Sequence, residues 1–184
     1  MIDTTHLILR PHATDDLEAY VPLWQETLGH DAAPSRLPVL SEEEVWARLL
    51  RWIGHWSVYG FGPLAVIDKA SGDLCGEVGF GYFRRGHGPA FDTVPEGMWK
   101  ISATHRGKGF AREAMEAVCA WFDSAIRAER TVCMIDPTNA ISCRLAGRLG
   151  FSVFAEAKYK GHPLLLYERL RGGGDLPLTP ALSP

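Results

Sequence analysis

The run His105-Arg106-Gly107-Lys108-Gly109-Phe110-Ala111 brings together the residue types that hold an anion. Gly107 and Gly109 allow the backbone to turn sharply and to come close to a ligand. A helical pattern starts at once, near Phe110, so several backbone N–H groups and the positive end of a helix dipole converge on the turn. That combination suits phosphate or pyrophosphate. Arg106 and Lys108 add charge at the same place, and Arg112 is a weaker third candidate. The plain alternative is a set of solvated surface cations. Two familiar phosphate loops do not fit. Lys108 is followed by Gly109, where a Walker A loop needs Ser or Thr, and Arg112 stands where a G-x-G-x-x-G fingerprint needs its last glycine.

Other reactive residue types carry less. Cys75, Cys119, Cys133 and Cys143 form no C-x-x-C pair, and the seven histidines are scattered. Metal binding and a disulfide framework are therefore not expected, and the thiols read as buried groups in a reducing cytoplasm. Glu77 sits in the apolar run of residues 74–80, where an unpaired carboxylate is costly. It needs a partner or a function. Trp52 and Trp56 share a helical stripe with Val45 and Leu49 and read as core. Trp24 and Trp46 are open to a substrate-facing role.

The elements that must position these groups are legible. Residues 7–11 read as a strand ended by Pro11. Thr14 is the expected N-cap of a helix running to about Leu28. Residues 30–40 read as loop. Ser41 and Glu44 match a capping box, and a second helix follows to about Ser57. Residues 61–67 and 74–82 form a hairpin around the 69–73 turn. Residues 84–89 are loop, and 97–102 form a strand leading into the anion loop. The next helix carries Ala111, Met115, Val118, Phe122 and Ala125 at helical spacing. A strand over 130–135 precedes a helix opened by Pro137-Thr138-Asn139, which is expected to bury Ile141, Leu145 and Leu149 and to stop at Gly150. Strands over 151–158 and 164–169 close the fold. The order β-α-α-β-β-β-α-β-α-β-β makes an α+β domain with one sheet over residues 1–171. The Gly- and Pro-rich stretch 172–184 is expected to be a disordered tail.

The chain has 184 residues, enough for one domain with a full core. Its formal charge of −3 gives no bulk case for nucleic acid or an acidic membrane. No apolar run approaches the roughly 20 residues that span a bilayer. The first six residues lack the pattern of a signal peptide. A cytoplasmic protein is the expectation.

Arg106-Gly107-Lys108-Gly109-Phe110-Ala111 resembles the acetyl-CoA signature Gln/Arg-x-x-Gly-x-Gly/Ala of the GNAT superfamily of N-acetyltransferases. Asn139-Ala140-Ile141-Ser142 with Leu149-Gly150-Phe151 resembles that family's second cofactor segment. Leu7-Ile8-Leu9-Arg10-Pro11 and Glu96-Gly97-Met98-Trp99 resemble its RimJ/RimL branch, which acetylates protein N-termini and some small amines. The resemblance spans about residues 6–170. It implies a mixed, mostly antiparallel sheet splayed between strands 4 and 5 and flanked by about four helices. The pantetheine arm of acetyl-CoA would lie in that splay like an added strand. Backbone groups of Ile101 and Ala103 would pair with its amides, with Ser102 between them. The N–H groups of Gly107, Lys108, Gly109, Phe110, Ala111 and Arg112 would hold the pyrophosphate.

The resemblance also sets out roles with their plain alternatives. Asn139 would lie near pantetheine, or else cap its helix. Ser142 would protonate the departing CoA thiolate, or else be an ordinary helix serine. Tyr159 is a less well placed substitute. Glu96 would orient the amine or take its proton through water, or else be exposed beside Pro95. Trp24, Trp46 and Glu77 are weaker acceptor-side candidates, because the family places the first two helices over the acceptor cleft. Glu113 reads as structural. Nothing points to a strongly cationic acceptor, since no dense acidic cluster lies in this region.

The implied reaction is direct acetyl transfer from acetyl-CoA to a primary amine in a ternary complex, without metal, the acceptor being a protein N-terminus or a small molecule. A backbone N–H near residues 98–100 would polarise the thioester carbonyl. No cysteine is placed by a motif to form an acyl-enzyme. The alternative is a non-catalytic acyl-CoA-binding sensor with the same loop, in which Glu96 and Ser142 are dispensable. Acceptor choice would rest with residues 30–40 and 84–95. Both a monomer and a homodimer are compatible with the sequence.

Overall fold

A computed structural model describes residues 1–26 and 39–172. The expected acceptor loop, apart from Val39 and Leu40, and the expected tail beyond Gly172 lie outside the described residues. One eight-stranded sheet runs in the order β1-β2-β3-β4-β5-β6-β8-β7. Its strands are β1 (Ile2–Asp3), β2 (Leu7–Pro11), β3 (Leu64–Asp68), β4 (Leu74–Gly81), β5 (Glu96–Ile101), β6 (Arg130–Ile135), β7 (Ser152–Tyr159) and β8 (His162–Leu170). Every neighbouring pair is antiparallel except β5 with β6. The helices are α1 (Leu17–Gln25), α2 (Glu42–Tyr59), α3 (Pro89–Asp92), α4 (Phe110–Ala125) and α5 (Ala140–Arg148).

Strand alternation divides the sheet into two faces. On one face Val78 and Phe80 of β4 meet Met115, Val118 and Phe122 of α4 in the main core. On the other face Glu77 meets Tyr20 of α1 and Arg48 of α2. Tyr20, Leu23, Val45 and Leu49 close those two helices over the sheet in a second cluster. Ser41 caps α2 as its sequence requires. Its hydroxyl accepts the Glu44 N–H (3.2 Å) and Glu44 accepts the Ser41 N–H (2.8 Å). Gly60 ends the helix in the left-handed region, two residues beyond the expected stop.

Three expectations are corrected. Thr14 is not a helix cap. Asp16 accepts the Ala13 N–H (2.8 Å) and pairs with Arg10, which winds residues 14–16 into a 3-10 turn before α1. Helical geometry then ends at Gln25, with Glu26 extended, short of the expected end; Leu28 itself lies outside the described residues. Ile141 is exposed, not buried. The inward face of α5 is Ser142, Leu145, Ala146 and Leu149, and Ile141 is turned by about 100° from Ser142 on a 3.6-residue helix. The two-residue β1 and the one-turn α3 add to the expected elements. Neither is long enough to show a period in sequence.

Candidate active site

The chemistry converges where β5 leaves β6. The only register pair between them is Glu96 with Val132, beside a Val132 N–H to Pro95 carbonyl bond of 3.0 Å. Beyond it β5 keeps only its β4 partner, from Gly97–Phe80 to Ile101–Gly76. This is the expected splay between the fourth and fifth long strands. Ser102 N–H donates to the Cys75 carbonyl (2.9 Å), one step past the Ile101–Gly76 pair. Bonded and non-bonded pairs alternate in an antiparallel ladder. Met98 and Lys100 therefore direct their backbone groups to β4, while Trp99 and Ile101 direct theirs into the splay. Of the residues expected to offer an N–H to a thioester carbonyl, Trp99 is the one facing the cleft.

The strand passes through a 3-10 turn, Ala103–His105, into the glycine loop. Gly107 (φ 78°) and Gly109 (φ 82°) hold the left-handed conformations that a side chain disfavours. The N–H groups of Gly109, Phe110 and Ala111 have no acceptor among the described residues, as befits a helix start. Arg106 donates from Nε to the Ile101 carbonyl (3.2 Å). Its Nη2 is buried without a hydrogen-bond acceptor, 3.6 Å from Glu26 Oε2. Lys108 Nζ stands 3.9 Å from Asp68 Oδ2. An extended ligand with an anionic tail fits these groups: unpaired strand edge first, N–H groups and cations after.

Several candidates are placed differently from the expectation. Ser102 is turned away from the splay, since its N–H goes to Cys75 and its hydroxyl to His105 Nδ1 (2.8 Å). Ala103 N–H is taken by Glu26 Oε2 (2.9 Å) and the Ile101 carbonyl already accepts from Arg106, which leaves the Ile101 N–H as the pairing group at the strand end. The Phe110 ring is buried between His6 and His105, with centroids at 6.4 and 6.2 Å, so only its backbone faces a ligand. Ala111 is half-buried against the core. Arg112 lies on the exposed face of α4, 3.7 Å from Glu116. Asn139 does cap α5, its Oδ1 accepting the Ser142 N–H (3.1 Å).

Ser142 faces the splay. The Trp99 indole crosses from β5 and donates from Nε1 to Ser142 Oγ (3.2 Å). An indole N–H can only donate, so the serine hydroxyl keeps its own proton for another acceptor. Glu96 is buried rather than exposed, with Arg85 on both carboxylate oxygens at 3.0–3.2 Å. Burial pushes its carboxyl up and Arg85 pulls it back. Tyr159 stands near this pair, its ring 5.4 Å from Arg85 Cζ.

Glu77 has the partners its apolar surroundings demand. Tyr20 and Arg48 donate to it, and His12 Nε2 is 3.4 Å away. Burial pulls Arg48 down to about 9, still above neutrality, so it remains a guanidinium. Trp24 lies against this group, its ring 3.7 Å from Arg48 Cζ and 5.0 Å from Lys100 Nζ. Trp46 lines an open hollow of about 440 Å³ with Leu17, Glu42 and Glu43. Glu113 ties the N-terminus to α4 through Thr4 (2.7 Å) and His6 (2.8 Å). Burial pushes the Cys75 and Cys119 thiols up to about 11 and Cys133 well above its ordinary value. Thiols so disfavoured as thiolates are poor nucleophiles.

The class is set by a splayed α+β sheet whose open strand edge runs into an N–H-lined helix start. A profile of the acetyltransferase (GNAT) domain matches residues 6–152. The chain belongs to the GNAT acetyltransferase family. It is 35% identical to a GNAT-family acetyltransferase from Bordetella pertussis, with a TM-score of 0.82 over 91% of this chain and 98% of that one. An acetyltransferase from Agrobacterium tumefaciens is 25% identical, with a TM-score of 0.70 over 91% and 92%. A ribosomal-protein-S5-alanine acetyltransferase from Vibrio fischeri shares the fold at 18% identity, with a TM-score of 0.71 over 95% and 98%. No described helix is long and apolar enough to cross a membrane.

Proposed function

We propose that this protein is an acetyl-CoA-dependent N-acetyltransferase of the cytoplasm that moves the acetyl group directly to a primary amine. The observation that carries the reading is the β5 edge, open at Trp99 and at the Ile101 N–H and continued by the N–H groups of Gly109, Phe110 and Ala111, which have no acceptor among the described residues. Ile101 pairs with the pantetheine arm, and the loop with Arg106 and Lys108 holds the phosphates. Trp99 N–H polarises the thioester carbonyl. The new C–N bond forms as the C–S bond breaks. Glu96, which burial makes a stronger base than a surface carboxylate, takes the amine proton through water. An α-amine, with a pKa of about 7.7–8.0, asks little of that base. Ser142 gives its hydroxyl proton to the departing thiolate and takes a proton back from solvent. The RimJ/RimL-like reading rests on the residue 7–11 and 96–99 segments and extends this proposal to the family branch.

The test is CoA release with a broad amine panel, followed by mass spectrometry of amine and enzyme. The proposal requires acetylated amine and an unmodified enzyme after incubation with acetyl-CoA alone. Acetylated enzyme in the absence of amine would replace direct transfer by a covalent route. Tight acetyl-CoA binding without transfer to any amine would favour the sensor.

A further inference from the structure

Resting on the transferase reading, a further conclusion concerns the acceptor. Three described carboxylates stand around β5 on the face beneath α1 and α2, Glu77 and Glu96 on the sheet and Glu26 just after α1, and each already has partners within the chain. Glu77 takes Arg48 and Tyr20, Glu96 takes Arg85, and Glu26 takes the Ala103 N–H beside Arg106. None of these three is left to receive a second ammonium group from a polyamine.

Two donors on this face lack a hydrogen-bond acceptor among the described residues. Lys100 is the register partner of Glu77, so the two side chains emerge side by side. Its Nζ makes no hydrogen bond or ion pair among the described residues and rests 5.0 Å from the Trp24 ring centroid. The lysine is half-buried, and burial is the main cause that pulls it below its ordinary value; Arg106 and Arg48 add to the pull, while the Glu26 and Glu77 carboxylates oppose it from a distance. The second donor is Trp24 Nε1, buried without a hydrogen-bond partner. A lysine near the end of a strand that gives up water and feels carboxylates only at a distance is completed by a ligand carboxylate in direct contact. Lys100 also sits one residue from Trp99, whose N–H faces the reacting carbonyl.

We propose that the acceptor is a small aminocarboxylate whose carboxylate is held by Lys100 Nζ and Trp24 Nε1 while its amine reaches the thioester at Trp99. An acceptor-only group satisfies both donors at once. An ion pair here is half-shielded from water, so it contributes to selectivity where an exposed pair would not. A protein N-terminus, whose α-carboxyl is an amide, lacks this contact.

The experiment compares kcat/KM for matched sets: an amino acid, its carboxamide and the amine lacking the carboxyl group, beside spermidine and a peptide with a free N-terminus. Wild type is expected to favour the acid over its carboxamide by at least about tenfold. Lys100→Met brings that ratio close to one, Lys100→Arg keeps a preference for the acid, and Lys100→Glu turns selectivity towards the diamine. Trp24→Phe keeps the ring, loses the N–H, and lowers the ratio by about threefold to tenfold. A wild-type ratio near one, or a ratio that Lys100→Met leaves unmoved, overturns the inference. So does CoA release with the peptide or spermidine but not with acids, an outcome that leaves the transferase reading standing. No CoA release from any amine overturns the transferase reading and this inference together.

Discussion

Trp99→Phe separates a relay from mere packing. The change keeps an aromatic ring between β5 and α5 and deletes one hydrogen bond, Nε1 to Ser142 Oγ at 3.2 Å. A neutral hydrogen bond contributes about 0.5–1.5 kcal/mol net, which corresponds to a rate loss of about twofold to twelvefold. Ser142→Ala removes the proton donor itself. A CoA thiolate is a fair leaving group, so the loss falls at or below the lower end of general-acid effects, about tenfold to a hundredfold. If Trp99 acts by orienting the serine hydroxyl, the double variant is no slower than Ser142→Ala alone. The assay is steady-state CoA release at saturating amine with acetyl-CoA varied. The loss is expected in kcat, with KM for acetyl-CoA little changed. Multiplicative losses in the double variant, or a Trp99→Phe effect confined to KM, would refute the relay.

Two further predictions concern the charged group beneath the acceptor face. Glu77→Leu strands Arg48 and His12 in a buried site and is expected to cost about 3–5 kcal/mol. For a chain of this size that lowers Tm by roughly 6–20 °C. Adding Arg48→Met recovers part of the loss, and a double variant no better than the single one would contradict the pairing. His12 provides a pH test. Burial opposes its charge, but Asp16 and Glu77 on either side raise it overall. A raised folded-state value means the stabilisation is complete below the unfolded value of about 6.5 and is lost as pH rises through the folded one. Urea unfolding from pH 6 to 9 is therefore expected to show wild type losing stability relative to His12→Gln. Parallel curves would exclude a charged His12 in the folded state.

The glycine loop, the capping box of α2 and the order of elements were legible because each follows from local pattern. Glycines that need positive φ, an Ser-x-x-Glu start and period-two runs act within a few residues. The active-site partners were not legible for the opposite reason. Arg85 reaches Glu96 across 11 residues, Arg48 reaches Glu77 across 29, and Trp99 reaches Ser142 across 43. Only the folded sheet sets such pairs. The apolar run around Glu77 did signal that partners must exist, though not which. Lys100 carried a comparable signal, a cation amid Met98, Trp99 and Ile101. Ser102 and Ala103 lie in the expected segment, yet ladder parity and Glu26 decide where their N–H groups point, and neither can be read from composition. Ile141 looked inward because it is apolar, while the helix phase set by Leu145, Ala146 and Leu149 turned Ser142 inward instead.

The central claim is that the β5 edge and the loop after it hold acetyl-CoA. Calorimetric titration of acetyl-CoA into wild type and into Arg106→Ala/Lys108→Ala tests it most directly. The account predicts saturable micromolar binding that weakens at least about tenfold in the variant, as befits the loss of two phosphate-facing cations. No binding to the folded wild-type protein, or equal affinity in the two, would contradict it.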